Sequence, residues 1–458
     1  MAITAVNYRP HIWSPAYNPI VWSFTSNQNT QPDFTYVVDL YINGAVTRTY
    51  RIKQRPNPSG VCMVDVSSIL QPYIDLALYA AEDGWSLRYR NSNEVLATVL
   101  IKVGEEYSVN GALTIFNGSG VVGAPAYSIG AKENNSKPVR VTPAALPYRQ
   151  SIENMASTTD YYYWSDYLMD GNGKFLKYDD NTIDVYSYDR HTLYFLNWND
   201  LGAGYNNGVQ LTQIKEYNSS NALIATQDFQ NTTGNGGGPQ TAANYTTLTE
   251  SRATDQLAVR VGPEDLSLNP STAYYTVTLF VKASATTSTT PGATASETVR
   301  FNIVDPCNDL YPRVRLSWLN SLGGRDYYNF TMFFEKTTDS PGEVYQQTDL
   351  NWSGTTPVAL SSAADKTANW LRGGDKSFNK VVNTVYKIES DWITQAEMDF
   401  LGAIPESPQV WAYIGQDPEP YTVQISNLSY TYKLIKQVKL AQASFDMRFT
   451  KIQPKQNT

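Results

Sequence analysis

The chain has 458 residues, 41% hydrophobic and 17% charged, with a net charge of −8. That is the composition of folded protein, long enough for about three domains. The acid excess excludes a dedicated nucleic-acid binder, which needs a strongly basic face, and 2 cysteines with 2 histidines exclude a disulfide framework and, in practice, a zinc centre.

The opening, "MAITAVNYRPHIW", has no basic region followed by an apolar run, so no signal peptide is read. Nothing approaches the roughly 18 consecutive apolar residues of a membrane span. A soluble protein made in the cytoplasm, with no membrane partner, is the expectation. The 33 Tyr, 10 Trp and abundant Thr suit half-buried pleated surfaces and predict β structure. Cys62 and Cys307 read as buried free thiols rather than a disulfide.

Taken in chain order, period-2 alternation puts Tyr36, Val38, Leu40 and Ile42 on one face and Val37, Asp39 and Tyr41 on the other. Asn43-Gly44 then predicts a hairpin, because both residues tolerate positive φ. The return strand would place Val46, Tyr50 and Ile52 on one face. Residues 107–182 break the pattern and read as an irregular, loop-rich insertion. Within it, Tyr161, Tyr162, Tyr163 and Trp164 cannot all face one core, so a subunit interface is the preferred role, with local packing and sugar stacking as the alternatives. The stretch "DGNGKFLKYDD" has calcium-like spacing at Asp170 and Asn172. Lys174 occupies the third ligand position, so a hairpin turn is favoured.

Further on, "LYFLNWNDLGAG" from Leu193 and "LSWLNSLGGRD" from Leu316 echo one another, about 120 residues apart, a domain-sized period. Each is followed by a strand, a polar turn and a returning strand, as is the N-terminal "PIVWSFTSN". Three tandem β-sandwiches of immunoglobulin or fibronectin-III character are inferred. Tyr275, Val277, Leu279 and Val281 predict another strand, partnered by Val299, Phe301 and Ile303. The segments 231–244 and "ASATTSTTPGATASE" read as exposed polar tips. Near the end, Thr394 and Glu397 form a capping box for a short helix, with Ile393 and Met398 at the staple positions and Gly402 at the C-terminal cap. Boundaries at 1–106, 107–182, 183–306 and 307–458 follow.

Chemistry is weakly signalled. Neither His11 nor His191 sits in a nucleophile motif, and no HExxH, GxSxG, Walker-type or CxxC pattern occurs. The acid pairs Asp179-Asp180, Glu105-Glu106 and Glu389-Asp391 could in principle serve a glycosidase, but surface acids are the simpler reading. No catalytic, cofactor or metal residue is assigned. Asn320, Gly323 and Gly324 have no following helix or lysine to make a phosphate site and read as a structural turn, with the glycines supplying backbone freedom.

"CNDLYPRVRLSWLNSLGGRDYYNF", followed by "DWITQAEMDFLGAIPESPQVWAYIG" and "PYTVQISNLSYTYKL", resembles virion structural proteins of tailed phages that infect Bacteroidetes, including crAss-like phages. The opening "NPIVWSF…YVVDLYINGAVTRTYRI" resembles their first domain. The resemblance implies a non-enzymatic tail component, a ring, hub-proximal or baseplate-type subunit, and carries over no catalytic residue. Expected partners are copies of itself in a ring and other virion tail proteins, with the protein assembled in the host cytoplasm. A receptor- or glycan-binding fibre, with a host surface glycan as partner, is the alternative. A polysaccharide depolymerase is a third reading.

Overall fold

The computed structural model describes residues 3–74, 89–91, 97–130, 138–145, 166–167, 169, 171–197, 209–230, 256–282, 291–304, 313–339, 343–347, 352–353, 356–357, 374–378, 383–415, 420–426 and 442–450. Strands dominate, so the fold is all-β. The chain divides into two compact units. The first comprises Met1–Asn308, Ser317–Tyr328 and Gln416–Pro420, and the second Asp309–Leu316, Asn329–Gly415 and Tyr421–Thr458.

The first unit opens with β1 (Ile3–Tyr8), β2 (Trp13–Pro15), β3 (Val21–Ser26), β4 (Thr35–Ile42), β5 (Tyr50–Gln54), β6 (Val61–Asp65), a single helical turn α1 (Ser67–Leu70), β7 (Tyr89–Asn91), β8 (Ala97–Val109), β9 (Ala112–Phe116), β10 (Tyr127–Ile129) and β11 (Val139–Thr142). They form a three-stranded sheet, β1-β3-β6, and a larger one ordered β2-β11-β8-β4-β5, with β9 and β10 also on β8. Phe24 of the small sheet meets Tyr36 of the large one edge-on at 5.2 Å. The Tyr36 hydroxyl accepts from Ser26 N and donates to Gly60 O, tying the sheets together. A buried phenol is tolerated because both of its hydrogen-bonding roles are filled.

Alternation puts Tyr36, Val38 and Leu40 in the core, but Val37 and Asp39 are buried too. Asp39 is accommodated by the bidentate guanidinium of Arg51, at 2.6 and 2.7 Å, the strong fork geometry. Asn43 and Gly44 adopt the expected positive φ. The return strand starts only at Tyr50, opposite Leu40, and Val46 is 98% exposed. A longer connection replaces the two-residue hairpin, because Asn43 also exchanges hydrogen bonds with Thr98 of β8. The expected boundary at 106 falls inside β8, and parts of the expected irregular insertion pair with that strand as β9, β10 and β11. The physical reason is visible in β8 itself: Ala97, Val99, Ile101 and Val103 line the core, so the strand needs neighbours along its length.

A second pair of sheets follows in the same unit. Its strands are β12 (Thr182–Tyr186), β13 (Thr192–Leu196), β14 (Val209–Tyr217), β15 (Leu223–Gln230), β16 (Gln256–Arg260), β17 (Tyr274–Lys282), β18 (Pro291–Thr294) and β19 (Val299–Val304). One sheet runs β12-β19-β17-β14-β15 with β18 on β17, and the other β13-β16-β7. The predicted partner strands meet as expected, and their register sets Tyr275 opposite Phe301 and Val277 opposite Val299. Both sheets feed one core containing Leu193, Phe195, Leu257, Val259, Ile214, Val277 and Phe301. The second half of the predicted polar tip is not loop: Pro291–Thr294 is β18, and Ala295 behind it is fully buried.

Glu216 of β14 is buried and accepts hydrogen bonds from Asn269 N, Thr272 Oγ1 and Gln227 Nε2. Burial alone would raise its carboxyl, but these three donors outweigh that and hold it below the ordinary value. Glu216→Gln is therefore expected to cost about 1–2 kcal/mol at pH 7 in a urea titration. A folded pKa below the unfolded one gives stability that is present above about pH 4 and lost as acid titrates the folded group. The difference between the two proteins should shrink at pH 3.

The remaining strands are β20 (Val314–Leu319), β21 (Arg325–Phe330), β22 (Phe333–Asp339), β23 (Glu343–Gln347), β24 (Trp352–Ser353), β25 (Thr356–Pro357), β26 (Gly374–Phe378), β27 (Asn383–Glu389), β28 (Val410–Ile414), β29 (Tyr421–Ile425) and β30 (Ser444–Phe449), with helix α2 (Gln395–Leu401) between β27 and β28. Seven form one sheet, β21-β20-β28-β29-β30-β27-β22, while β23-β26 and β24-β25 are separate ribbons. The third repeat therefore departs from the echo. Among the described residues the β14-β15 hairpin has no counterpart, since β22 pairs with β27 and β23 with β26. The capping box of Thr394 and Glu397 is present, and Ile393 and Met398 are buried. Gly402 caps the helix in the right-handed region, so its conformational freedom is not used there.

Candidate functional site

A group of buried polar side chains, among them Ser317, Asn320, Arg325 and Asp326, surrounds the tip of the β20-β21 hairpin, Ser317–Tyr328, within the first unit. Asn320 organises it. Its Oδ1 accepts from Leu322 N and Gly324 N, both at 3.0 Å, and its Nδ2 donates to Leu176 O at 3.0 Å. Asn197, the matching residue of the earlier echo, does a related job by accepting from Val209 N at 2.7 Å. The echo thus marks a shared device, an asparagine closing the chain that leaves a buried strand.

The two glycines serve different ends. Gly323 has φ +83°, the left-handed region that favours glycine, and its carbonyl accepts from Gln256 Nε2 at 2.7 Å. Gly324 is there for space rather than the expected backbone freedom. A Cβ at that position would collide with the Leu176 carbonyl and stand 2.8 Å from the Leu176 Cβ.

The segment Gly173–Tyr178 runs past this tip as a strap whose main chain is held by both backbone and side-chain hydrogen bonds. Phe175 N donates to Glu297, Tyr178 N donates to Asp326 Oδ1 at 3.0 Å, and Leu176 N donates to Tyr194 O. Phe175 and Leu176 are buried. Lys177 Nζ donates to the carbonyls of Asp179 and Asp180 at 2.5 and 2.8 Å. Burial pushes the Lys177 ammonium down and the Asp326 carboxyl up to about 6, the latter opposed by Tyr178 N–H, Asn320 and Lys177. Arg325 donates to Ser317 Oγ and Ser317 O, and His191 packs 4.2 Å from the Tyr327 ring.

A second buried acid lies in the first pair of sheets. Glu105 shares its neighbourhood with Tyr36 and Cys62, and burial raises its carboxyl, the Ser26 side chain pulling back. Cys62 is a buried free thiol pushed up to about 12 by burial, which makes it unreactive; Cys307 lies outside the described residues. Glu105 and its neighbour Glu106 are both buried rather than the surface acids expected, and they face different surroundings. Successive strand residues point to opposite faces, and Glu106 pairs with Lys53 at 2.8 Å.

The predicted interface residues Tyr161, Tyr162, Tyr163 and Trp164 lie outside the described residues, as does Asp170. Lys174 pairs with Asp166 at 3.4 Å. Among the described residues no group of three or more His, Cys, Asp or Glu is placed to hold a metal ion, and no helix is long and apolar enough to cross a membrane. Asp326, Lys177 and Glu216 were not anticipated. The signal for Asp326 was its register: it alternates with Tyr328 and Phe330, and an acid in line with an apolar face is on its way to burial. No family model matches the chain, and no curated protein matches it either.

Proposed function

We propose that the chain is a non-enzymatic structural subunit of a tailed-phage virion, assembling with copies of itself into a tail ring or a baseplate-type, hub-proximal component. One observation carries this beyond the sequence resemblance. Buried ionisable groups such as Asp39, Glu216 and Asp326 hold strand to strand or strap to sheet, while large apolar side chains stand exposed on hairpins and edges, among them Leu113, Val121, Val122 and Val344. Chemistry needs polar groups aimed at a substrate; assembly needs apolar surface facing outward.

We read the two sheet pairs of the first unit as immunoglobulin-like sandwiches. The orders β1-β3-β6 and β2-β11-β8-β4-β5, then β13-β16 and β12-β19-β17-β14-β15, support this. Each sets the first strands beside a sheet of G-F-C-C′ type, and in each an early strand runs parallel to the last. Tyr275, near the start of β17, donates to Val261 O at 2.7 Å, as a tyrosine corner does.

The alternative, a receptor- or glycan-binding fibre module, has the exposed indole of Trp392 in its favour, since an aromatic face can stack on sugar. Mass photometry of the purified chain separates the two. A closed ring of more than three copies is expected, with the protein present in purified virions. A stable monomer or trimer that binds host glycan tightly overturns the ring reading, and hydrolysis of host polysaccharide overturns the non-enzymatic one.

A further inference from the structure

An asparagine followed by glycine is open to a spontaneous reaction, because glycine puts no side chain in the way when its own nitrogen attacks the asparagine carboxamide. Four such pairs lie among the described residues: Asn43-Gly44, Asn110-Gly111, Asn117-Gly118 and Asn172-Gly173. Asn207-Gly208 and Asn235-Gly236 lie outside them. The attack needs a free carboxamide, a free glycine N–H and a backbone that can leave its folded conformation. Local structure therefore decides which pair reacts.

Three of the four are held. Asn43 Oδ1 accepts from Thr98 N at 3.0 Å, and Asn43 N donates to Thr98 O at 2.8 Å. Asn117 Oδ1 accepts from Ser119 N and Val121 N at 3.0 and 3.2 Å, and the following Gly118 is buried, its carbonyl accepting from Ile3 N. At Asn172 the nucleophile is the group held, since Gly173 is buried and its N–H donates to Ala295 O at 3.0 Å. Asn110 differs on each count. With Gly111 it forms the two-residue turn between β8 and β9, at φ 51° and 81°, and both residues are exposed. Among the described residues nothing bonds to its carboxamide or to Gly111 N, and the space around Gly111 is open. Opening this turn disturbs only the outermost β8-β9 pair, Val109 opposite Ala112, both exposed.

We propose that Asn110 is a site of spontaneous modification, converting to aspartate and isoaspartate by way of a cyclic imide. Gly111 N forms a bond to Asn110 Cγ, the Cγ–Nδ2 bond breaks, and Nδ2 leaves as ammonia with the proton that Gly111 N gives up. Water then opens the ring. Attack at the former side-chain carbonyl gives aspartate, and attack at the main-chain carbonyl gives isoaspartate, whose main chain is one carbon longer. Each product puts a negative charge where residues 110–126 carry none. Isoaspartate also lengthens a connection whose two residues set Val109 opposite Ala112, and hairpin register depends on that length. The reaction needs water alone and is independent of the ring reading.

The test incubates the full chain at mildly alkaline pH, native and in denaturant, and follows each of the four pairs by peptide mapping with mass spectrometry. In denaturant the four should convert at similar rates. In the native chain position 110 should convert fastest, with the other three slower by about fivefold or more, the effect of one typical hydrogen bond on the open population. Chromatography should resolve two products at position 110, with isoaspartate in excess. Conversion of Asn43, Asn117 or Asn172 as fast as that of Asn110 in the native chain overturns the assignment. So does a native rate at Asn110 slowed by folding as much as theirs. Aspartate as the sole product there overturns the imide route. A chain that never forms a ring leaves all of these outcomes readable, so failure of the ring reading is seen separately.

Discussion

Gly324→Ala is expected to destabilise the first unit by about 3 kcal/mol or more, whereas Gly323→Ala next to it should cost about 1–2 kcal/mol. The contrast follows from two different constraints on adjacent residues. At Gly323 the penalty is conformational: φ is +83°, and an alanine there is strained by a known, modest amount. At Gly324 the penalty is steric, and the obstacle is backbone. The Leu176 carbonyl that a Cβ would strike also accepts from Asn320 Nδ2, and the Leu176 N–H is committed to Tyr194 O. Moving the strap to admit one methyl group therefore breaks hydrogen bonds on both sides of a buried residue. Denaturant unfolding of the two variants measures the difference directly. Equal, small losses would mean that the strap does not sit against the tip as described.

The sequence exposes strands readily where one face is apolar and the period is two, which is why the β17-β19 pairing was legible from Tyr275, Val277 and Leu279. The capping box of α2 was legible for a related reason, since Thr394 and Glu397 act on their own helix end. What was not legible depends on partners distant in the chain. The role of Gly324 is set by Leu176, 148 positions earlier, and no local pattern encodes that approach. The 107–182 segment looked irregular because its strands are short and rich in turn residues. Their pairing is dictated by β8, which presents a core face along Ala97 to Val103. Glu105 continues that face, just as Asp326 continues the face of Tyr328 and Phe330. Glu105 reads as a surface acid and Asp326 is not singled out, although each keeps the register of its apolar neighbours. Tyr161 to Trp164, chosen for composition alone, had no such register to follow.

The stability of the first unit should fall as pH rises from about 4 to about 6, through Asp326. Burial holds this carboxyl at about 6, against the pull of Tyr178 N–H, Asn320, Lys177 and Asp179 N–H, while the unfolded chain titrates near 3.9. Between those values the folded state binds the proton that the unfolded state has lost, so each step up in pH favours unfolding. Asp326→Asn keeps an oxygen to accept from Tyr178 N–H and removes the titration. Urea midpoints at half-unit intervals from pH 4 to 7, subtracted variant from parent, isolate the contribution because every other group is common to both proteins. A difference that is flat across this range would mean that Asp326 is not buried as described. Asp326→Ala should behave otherwise, lowering stability by about 3 kcal/mol at pH 5, since it leaves the Tyr178 N–H unpaired and a void beside it. The two variants together separate the charge of Asp326 from its hydrogen bond. The hydrogen bond fixes the strap to the hairpin tip, and ionisation of the same carboxyl opposes that attachment, so the corner should be held most firmly on the acid side of its own pKa.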